Sequence, residues 1–381
     1  MDRSPLRVAV LGSTGSIGCQ ALDVIARHSD RFRVHALAAG NNCDLLASQV
    51  AACKPRFVAA EAECPSVRDA VEAIGAEVVP MDEMAALEDV DILLVGTAGA
   101  AGLIPTLRAL ERGLPVAIAN KEVLVMAGHL LRRAMLEGGG ELRPVDSEHS
   151  AIWQCLWGED GHPIRRIILT ASGGAFRDFV PHELEAVTPE QALDHPTWKM
   201  GAKITVDSAT LMNKGMETIE AMWLFGVAME QVEVVLHRQS IVHSLVEFSD
   251  GSVKAQLGYP DMRLPIECAL AYPERLPEAA MPPLDLASVG SLTFETPDMD
   301  RFPCLALAME AGKTGGTMPA VMAAADEIAV QRFLTGEVRF THIPAIVEEV
   351  MDRHRPVPEP ELQAILDADG WARAAAREAA V

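Results

Sequence analysis

Three glycines, each separated by two residues, follow the first apolar run of the chain, and this arrangement constrains the fold more than any other feature. Residues 7–11 form a short apolar run typical of a buried strand, and Gly12, Gly15 and Gly18 follow it before a helical pattern that reaches about residue 28. Glycines at such a junction allow a tight turn and let a pyrophosphate approach the helix N-terminus. The pattern predicts a dinucleotide-binding loop, with glycines that simply end a strand as the alternative.

Strand-like runs then alternate with helical patterns, and this order indicates the fold class α/β. Such runs recur at 33–38, 56–60, 91–95, 115–119 and 142–145. We therefore predict an N-terminal Rossmann-like domain over 1–150, with a doubly wound parallel sheet.

The rest of the chain has a different pattern. Further runs at 164–170, 232–236, 241–248 and 252–257 predict a central α/β catalytic domain over 151–272. Residues 273–298 contain several prolines and little periodicity, which predicts a linker. Helical patterns near 304–312, 317–334, 343–353 and 359–378 predict a C-terminal helical bundle over 299–381.

The charge of the chain limits its partners. Lysine and arginine total 32 and aspartate and glutamate 54, so the formal net charge is −22. We expect no nucleic acid and no anionic membrane as partner, because such a surface repels polyanions. No apolar run reaches about 18 residues, the length that a membrane span needs. Seven cysteines are scattered without paired spacing, which favours free thiols, no disulfide framework and a cytoplasmic location.

The end of the second strand-like run bears on the choice of cofactor. Residues 37–42 read Leu-Ala-Ala-Gly-Asn-Asn, with Gly40, Asn41 and Asn42 at the turn and no acid. An NAD site usually has an Asp or Glu there that binds the ribose 2′-hydroxyl. Its absence favours NADP, and a plain surface turn is the alternative.

Three carboxylates are candidates for a metal site. Asp146 and Glu148 follow a predicted strand, where ligands gather in wound sheets, and Glu217 begins a helical run. Carboxylates without neighbouring His or Cys ligands suit a hard cation such as Mg²⁺ or Mn²⁺, which can polarise the carbonyl of a hydroxy-ketone. Helix caps or solvated charges are the alternative.

A second group of residues has the chemistry of a phosphate site. Ser172 precedes two glycines after a strand, Ser208 follows later, and Asn213 and Lys214 precede a helical run. Hydroxyls, glycine amides, an amide side chain and a lysine are suitable ligands for a phosphate dianion. Caps and turns explain each element equally well.

The segment between these groups contains a tryptophan. Residues 195–203 include His195, Trp198 and Met200, and Trp198 could close over a substrate and exclude water. A tryptophan packed on the surface as an anchor is the alternative.

Several strings of residues together resemble the 1-deoxy-D-xylulose 5-phosphate reductoisomerase family. They are Leu-Gly-Ser-Thr-Gly-Ser-Ile-Gly (11–18), Ala-Asn-Lys-Glu (119–122), Pro-Val-Asp-Ser-Glu-His-Ser-Ala-Ile (144–152), Leu-Thr-Ala-Ser-Gly-Gly-Ala-Phe-Arg (169–177), His-Pro-Thr-Trp-Lys-Met-Gly (195–201), Val-Asp-Ser-Ala-Thr-Leu-Met-Asn-Lys-Gly-Met-Glu (206–217) and Gly-Tyr-Pro-Asp-Met-Arg (258–263). The resemblance implies that 1-deoxy-D-xylulose 5-phosphate is rearranged on a divalent cation (Mg²⁺, Mn²⁺ or Co²⁺) and reduced by NADPH to 2-C-methyl-D-erythritol 4-phosphate. It also implies a homodimer.

The resemblance also implies roles for individual residues. The metal ligands would be Asp146, Glu148 and Glu217, and the phosphate ligands Ser172, Ser208, Asn213 and Lys214, with His195 close by. Ser147 and Lys121 would contact the sugar, and Trp198 and Met200 would belong to a flap. The cofactor would contact Gly12, Ser13, Thr14, Gly15, Ser16, Ile17, Gly40, Asn41, Asn42, Asn120, Lys121, Glu122 and Gly201. The residues implied in catalysis are Lys121, Glu148, His195 and Trp198.

Three positions depart from the family pattern. Asn41 stands where the family usually has a Lys or Arg that holds the 2′-phosphate, so we expect a weaker preference for NADPH. Arg238 replaces a usual proline, and residues 323–327 read Ala-Ala-Ala-Asp-Glu instead of Asn-Ala-Ala-Asn-Glu. We expect the last two to affect packing rather than chemistry, because they lie outside the metal and phosphate motifs.

Two other functions remain alternatives at this point. Another NADP-dependent oxidoreductase on the same scaffold, such as a semialdehyde or homoserine dehydrogenase, would need no divalent metal. A nucleotide sensor that has lost catalysis would transfer no hydride, although the complete set of three acids favours an enzyme.

Overall fold

The computed structural model describes residues 4–60, 64–159, 161–277 and 281–380. The chain divides into two compact units. Unit 1 comprises Met1–Val123, Leu130–Ser150 and Asp261–Pro282, and unit 2 comprises Leu124–His129, Ala151–Pro260 and Pro283–Val381.

Unit 1 contains a seven-stranded parallel sheet in the order β4-β3-β2-β1-β5-β6-β7. Its strands are β1 (Leu6–Leu11), β2 (Phe32–Ala39), β3 (Phe57–Ala60), β4 (Glu77–Val78), β5 (Ile92–Val95), β6 (Pro115–Ile118) and β7 (Glu141–Pro144). Strand order reverses beside β1, and ligands of wound sheets bind at the carboxyl ends of the strands at such a point.

Helices surround this sheet because each connection between parallel strands must cross over it. They are α1 (Ser16–Arg27), α2 (Cys43–Cys53), α3 (Pro65–Ile74), α4 (Leu103–Glu111) and α10 (Arg263–Ala271). Helices α5 (Lys121–Gly138) and α6 (Ser147–Leu156) are shared, because residues 124–129 of α5 and 151–156 of α6 belong to unit 2. Val8, Val10, Leu37 and Leu94 on the central strands are buried in the core of this unit.

Unit 2 contains a four-stranded sheet and most of the helices of the second half of the chain. The strands are β8 (Ile164–Ala171), β9 (Val232–Leu236), β10 (Val242–Phe248) and β11 (Val253–Leu257), in the order β11-β10-β8-β9. The helices are α7 (Pro189–Leu193), α8 (Ala202–Thr210), α9 (Met212–Phe225), α11 (Leu286–Val289), α12 (Cys304–Thr314), α13 (Met318–Leu334), α14 (His342–Arg353) and α15 (Leu362–Glu378). Helix α13 is the most enclosed, with buried residues along its whole length.

These elements confirm the predicted α/β class, with a parallel N-terminal sheet and a helical C-terminal region. The sequence patterns missed β4, because two exposed residues are too few to form a recognisable strand pattern. They were also wrong about the start of α9, which begins at Met212, so that Asn213 and Lys214 lie in its first turn and do not precede it.

The cysteines differ from the expectation at one place. The structure joins Cys43 and Cys64 in a disulfide, whereas the sequence predicted none. Among the described residues Cys19, Cys53, Cys155, Cys268 and Cys304 remain free. None of the helices in the described part of the chain combines the length and apolarity that crossing a bilayer requires.

Candidate active site

The glycine loop between β1 and α1 is formed by close backbone contacts. Gly12 has a φ of +81°, and a Cβ atom there would lie 2.4 Å from the carbonyl oxygen of Gly96. A Cβ atom at Gly18 would lie 2.3 Å from the Gly12 carbonyl oxygen. Both positions therefore require glycine. Without side chains there, the loop packs closely on the start of α1, and a pyrophosphate can approach its backbone.

The loop is held from behind by a residue that the sequence reasoning missed. The hydroxyl of Ser13 donates to Gln49 Oε1 at 2.8 Å, and Gln49 Nε2 donates to the Ser13 carbonyl oxygen at 2.8 Å. Both side chains are buried, so the Ser13 hydroxyl supports the loop, while Gly15 and Ser16 are its exposed residues. No local sequence signal links Gln49 to the loop, because the two segments are brought together by the packing of α2.

The turn predicted to hold the 2′-phosphate follows β2. Asn42 is the N-cap of α2, and its side-chain oxygen accepts a hydrogen bond from the Leu45 amide at 3.4 Å. Asn41 is exposed beside it. The turn therefore presents Asn41 as a neutral group next to a helix N-terminus, a place where an anion is favoured.

The acids of unit 1 lie at the carboxyl edge of the sheet. Asp146 follows β7, and its Oδ2 lies 2.9 Å from Nζ of Lys121, the first residue of α5. Ser147 Oγ donates to Glu148 Oε2 at 2.6 Å. These carboxylates are held in fixed positions and offer the oxygen ligands that suit a divalent cation.

Asn120 fixes the start of the helix that carries Lys121 and Glu122. Its Oδ1 accepts from the Val123 amide at 3.1 Å, and its Nδ2 donates to Thr97 Oγ1 and to the Gly99 carbonyl, both at 3.0 Å. Asn120 therefore joins the ends of β5 and β6 at the same edge of the sheet as the glycine loop.

In unit 2, two of the predicted phosphate ligands meet at a histidine. Nε2 of His195 lies 3.0 Å from Ser172 Oγ and 3.2 Å from Ser208 Oγ. Gly174 makes this approach possible, since a Cβ atom there would lie 2.5 Å from the Ser208 carbonyl oxygen. The structure thus brings Ser172, His195 and Ser208 together, although they come from three different segments.

The hydrogen bonds of His195 define its charge and tautomer. Its Nδ1 accepts from the amides of Thr197 at 3.1 Å and Trp198 at 2.9 Å, so this nitrogen carries no proton. Burial and, to a smaller extent, the charge of Arg177 lower the pKa of His195 to about 4. The imidazole is therefore neutral near pH 7 and presents an Nε2–H donor to the two serines.

Arg177 ends the 169–177 string and supports the predicted phosphate site, a role that the sequence did not indicate. Its Nη1 donates to the Ser172 carbonyl oxygen at 2.9 Å, and its charge acts on His195. It therefore supports the Ser172 turn and adds positive potential where the predicted phosphate group would lie.

The segment 195–201 contains no regular structure until α8 begins. The Trp198 ring lies 6.4 Å from the ring of His243 on β10, a residue that the sequence analysis did not select. His243 is buried, which lowers its pKa to about 4. Met200 is half-buried, and Gly201 is the N-cap of α8. The two rings are tilted by 57° to each other, so the tryptophan lies near a neutral histidine.

The remaining predicted ligands of unit 2 lie on the first turns of α9. Glu217 Oε1 accepts from Asn213 Nδ2 at 2.6 Å, and its Oε2 lies 2.5 Å from Lys214 Nζ. Both Lys214 and Glu217 are buried. A carboxylate and an ammonium group on adjacent turns place cation-binding and anion-binding groups side by side.

Arg238, the second departure from the family pattern, lies on the surface of unit 2. Its guanidinium binds Asp178 at 2.6 Å and Glu295 at 2.8 Å, and these carboxylates raise its pKa. These contacts involve none of the predicted metal or phosphate ligands, and an effect of Arg238 on packing stays a prediction.

The parallel sheet, the glycine loop at its switch point and the acids at its carboxyl edge define the chain as an oxidoreductase of the dinucleotide-binding class. Family models of 1-deoxy-D-xylulose 5-phosphate reductoisomerase match residues 8–128, its C-terminal domain 142–225, and the DXP reductoisomerase C-terminal domain 257–375. The chain belongs to the 1-deoxy-D-xylulose 5-phosphate reductoisomerase family.

Relatives with that name are similar over almost their whole length. The protein of Symbiobacterium thermophilum is 54% identical over 97% of this chain and 98% of its own, and that of Thermomicrobium roseum is 52% identical over 98% and 97%. The solved structure of the reductoisomerase of Zymomonas mobilis in complex with NADPH is 43% identical, with a TM-score of 0.89 over 98% of both chains. A DOX-P reductoisomerase in complex with NADPH, fosmidomycin and magnesium is 38% identical, with a TM-score of 0.92 over 98% of this chain and 97% of the other.

Proposed function

We propose that this chain carries out the reaction of its family with the residues described above. The reaction is the NADPH- and divalent-metal-dependent rearrangement and reduction of 1-deoxy-D-xylulose 5-phosphate to 2-C-methyl-D-erythritol 4-phosphate, a step of isoprenoid precursor biosynthesis. The grouping of Ser172, Ser208 and the neutral His195 donor is the observation that carries the assignment of individual residues.

NADPH binds the glycine loop of unit 1. Its pyrophosphate lies against Thr14, Gly15, Ser16 and Ile17 at the start of α1, where the helix dipole favours an anion. The flat loop at Gly12 and Gly18 supports this, because side chains there would occupy the space of neighbouring backbone. The turn at Gly40, Asn41 and Asn42 receives the 2′-phosphate, and Asn120, Glu122 and Gly201 contribute further cofactor contacts.

The divalent cation is held by Asp146, Glu148 and Glu217, and Mg²⁺, Mn²⁺ and Co²⁺ all fit a set of oxygen ligands. When bound, such a cation polarises the carbonyl of the hydroxy-ketone as a Lewis acid. Lys121 holds Asp146 through its ion pair and, with Ser147, contacts the sugar oxygens.

The phosphate group of the substrate binds Ser172, Ser208, Asn213 and Lys214. His195 donates its Nε2–H to a phosphate oxygen while its Nδ1 keeps the amides of Thr197 and Trp198 in place. Phosphate binding is thereby linked to the flap, in which Trp198 and Met200 cover the substrate and exclude water from it.

We also propose a homodimer and a cytoplasmic location. Strand β11 is an edge of the four-stranded sheet, and Val253 at its start is half exposed, so a second copy can extend this sheet across a two-fold axis. Five of the seven cysteines are free, which fits a reducing compartment, whereas the Cys43–Cys64 disulfide is the one observation against it. The division into 1–150, 151–272, 273–298 and 299–381 remains our proposal for how these functions are distributed.

The test is NADPH oxidation with 1-deoxy-D-xylulose 5-phosphate, with Mg²⁺ or Mn²⁺ and after chelation. We expect turnover that needs both substrate and cation. Turnover that survives the chelator would favour a dehydrogenase without a metal, and absence of any hydride transfer would favour a nucleotide sensor.

A further inference from the structure

A lysine outside the assigned ligands of unit 2 bridges two buried carboxylates. Lys203 Nζ lies 2.7 Å from Asp207 Oδ2 and 2.9 Å from Asp326 Oδ2. The side chain of Asp207 is 1% exposed and that of Asp326 is 0% exposed. Burial of a carboxylate is costly unless a cation or hydrogen bonds compensate it, so we asked which part of the structure this cluster stabilises.

The position of Lys203 in the chain indicates that the cluster stabilises the start of α8. Lys203 is the second residue of α8, directly after Gly201, where the flap 195–201 ends, and Ser208 lies nearer the other end of the same helix. A positive charge in the first turn opposes the helix dipole, so Lys203 by itself destabilises the start of α8. The two carboxylates reverse this effect and fix the turn.

The two acids connect Lys203 to different helices. Asp207 is on α8 itself, four residues from Lys203, so its contact with Lys203 stays within the helix. Asp326 is on α13, the most enclosed helix of unit 2, so its contact ties the start of α8 to the core. Neither Asp326 carboxylate oxygen has a hydrogen bond within the described residues, which leaves the ion pair with Lys203 as its compensation there.

We propose that Asp326 is a positioning residue for the substrate-phosphate site. Through Lys203 it fixes the first turn of α8, and with it the end of the flap and the direction in which Ser208 is presented. This inference rests on the proposed role of Ser208 and the flap, and it gives the third departure from the family pattern an effect beyond packing.

The test is a double-mutant cycle on the full-length enzyme with NADPH and Mg²⁺. Asp326→Ala and Lys203→Met are each expected to raise KM for 1-deoxy-D-xylulose 5-phosphate by about tenfold, which is 1.4 kcal/mol. The double variant should be no worse than Lys203→Met, because the two residues act as one unit.

The matched control is Glu349→Gln, which removes a partly exposed acid of α14. Glu349 pairs with Arg353 at 3.2 Å on the same helix, away from the residues of this cluster, so KM should stay as in the wild type. Hydrogen exchange of the peptide 195–208 in the same proteins gives a readout that does not depend on turnover, and it should speed up in the Asp326 and Lys203 variants alone.

The two readouts separate the possible failures. Unchanged exchange of 195–208 in Asp326→Ala would overturn the positioning role. Faster exchange with an unchanged KM would show that α8 is fixed as described but that the phosphate does not bind at Ser208. Additive effects in the cycle would show that Asp326 acts without Lys203. If Asp326→Ala does not fold, Asp326→Ser removes the charge but keeps a small polar side chain, and it is judged by the same criteria.

Discussion

The ammonium group of Lys121 lies 2.9 Å from a carboxylate oxygen of Asp146, and the two side chains are only 6% and 14% exposed. Lys121 begins a helix after β6 and Asp146 follows β7, so the pair joins two neighbouring strand ends. Because Asp146 is also the proposed metal ligand, its charge is shared between a lysine and a cation. Loss of that charge therefore changes more than one interaction.

We expect Asp146→Asn to lose at least about 100-fold in turnover, because even residues behind the metal ligands contribute 10–100-fold. The Kd of NADPH should be unchanged, and it can be measured by fluorescence titration. Asp91→Asn is the matched control, since Asp91 also forms an ion pair in unit 1, with Arg7 at 2.9 Å, but lies at the opposite end of β5. Full activity of Asp146→Asn would contradict the metal assignment.

Replacement of Lys214 should affect both binding and stability. We expect Lys214→Met to raise KM for the phosphorylated substrate, since a hydrogen bond to a charged group contributes about 1.5–3 kcal/mol. The change also removes the cation beside the buried Glu217, so the midpoint of urea unfolding should fall.

The control for that variant is Arg353→Met, which removes an exposed arginine beside Glu349 on α14. It should leave both KM and the midpoint nearly unchanged, because surface ion pairs contribute little. A Lys214→Met enzyme with normal KM would place the substrate phosphate elsewhere.

The 2′-phosphate turn leads to a prediction on cofactor choice. Asn41 is exposed and neutral, so Asn41→Lys should lower KM for NADPH alone and widen the NADPH-to-NADH ratio by about tenfold, since 1.4 kcal/mol corresponds to one decade. Ala51→Lys adds the same charge at the far end of α2 and should leave the ratio unchanged. An unchanged ratio in Asn41→Lys would mean that another group, such as Arg33 or Asn42, already holds the 2′-phosphate.

The two neutral histidines of unit 2 predict a dependence of stability on pH. Burial lowers the pKa of His195 and of His243 to about 4. In the unfolded chain a histidine titrates near pH 6.5, so between these values the unfolded state binds more protons. The stability that these residues contribute is therefore complete above about pH 6.5 and is lost as the pH falls towards 4.

Urea unfolding at about pH 7.5 and about pH 5 tests this prediction. Each buried neutral histidine increases the change in the free energy of unfolding between the two pH values. The free energy of unfolding should fall less in His243→Asn than in the wild type, whereas His182→Asn, which changes an exposed histidine, should behave as the wild type. Equal losses in all three proteins would mean that His243 is charged in the folded state or does not titrate in this range.

The elements and most candidate residues could be predicted because their signals are local. The run before Gly12 and the apolar runs of β8 and β10 each identify a buried strand without knowledge of the rest of the chain. Contacts between distant segments could not be predicted in this way. Gln49 behind Ser13, His243 beside Trp198 and Asp326 beside Lys203 are ordinary polar residues in the sequence, and packing alone gives them their partners.

The same limit explains the Cys43–Cys64 disulfide. The two cysteines are 21 residues apart, begin or precede different helices and match no spacing motif. Only the packing of α2 beside α3 brings their sulfur atoms together. The positions of the acids relative to Lys121 and Lys214 likewise follow from how strands and helices end, which sequence patterns locate only to within a few residues.

The close contact at Gly174 limits how this enzyme can change during evolution. Every amino-acid replacement of a glycine adds a Cβ atom, and at Gly174 that atom would lie 2.5 Å from the backbone of Ser208, in a residue whose φ of +70° already disfavours any side chain. No single codon change can therefore alter this residue without displacing a serine proposed to bind substrate. If an inhibitor binds to the backbone of Gly174, the enzyme cannot become resistant by replacing Gly174 without also disturbing Ser208.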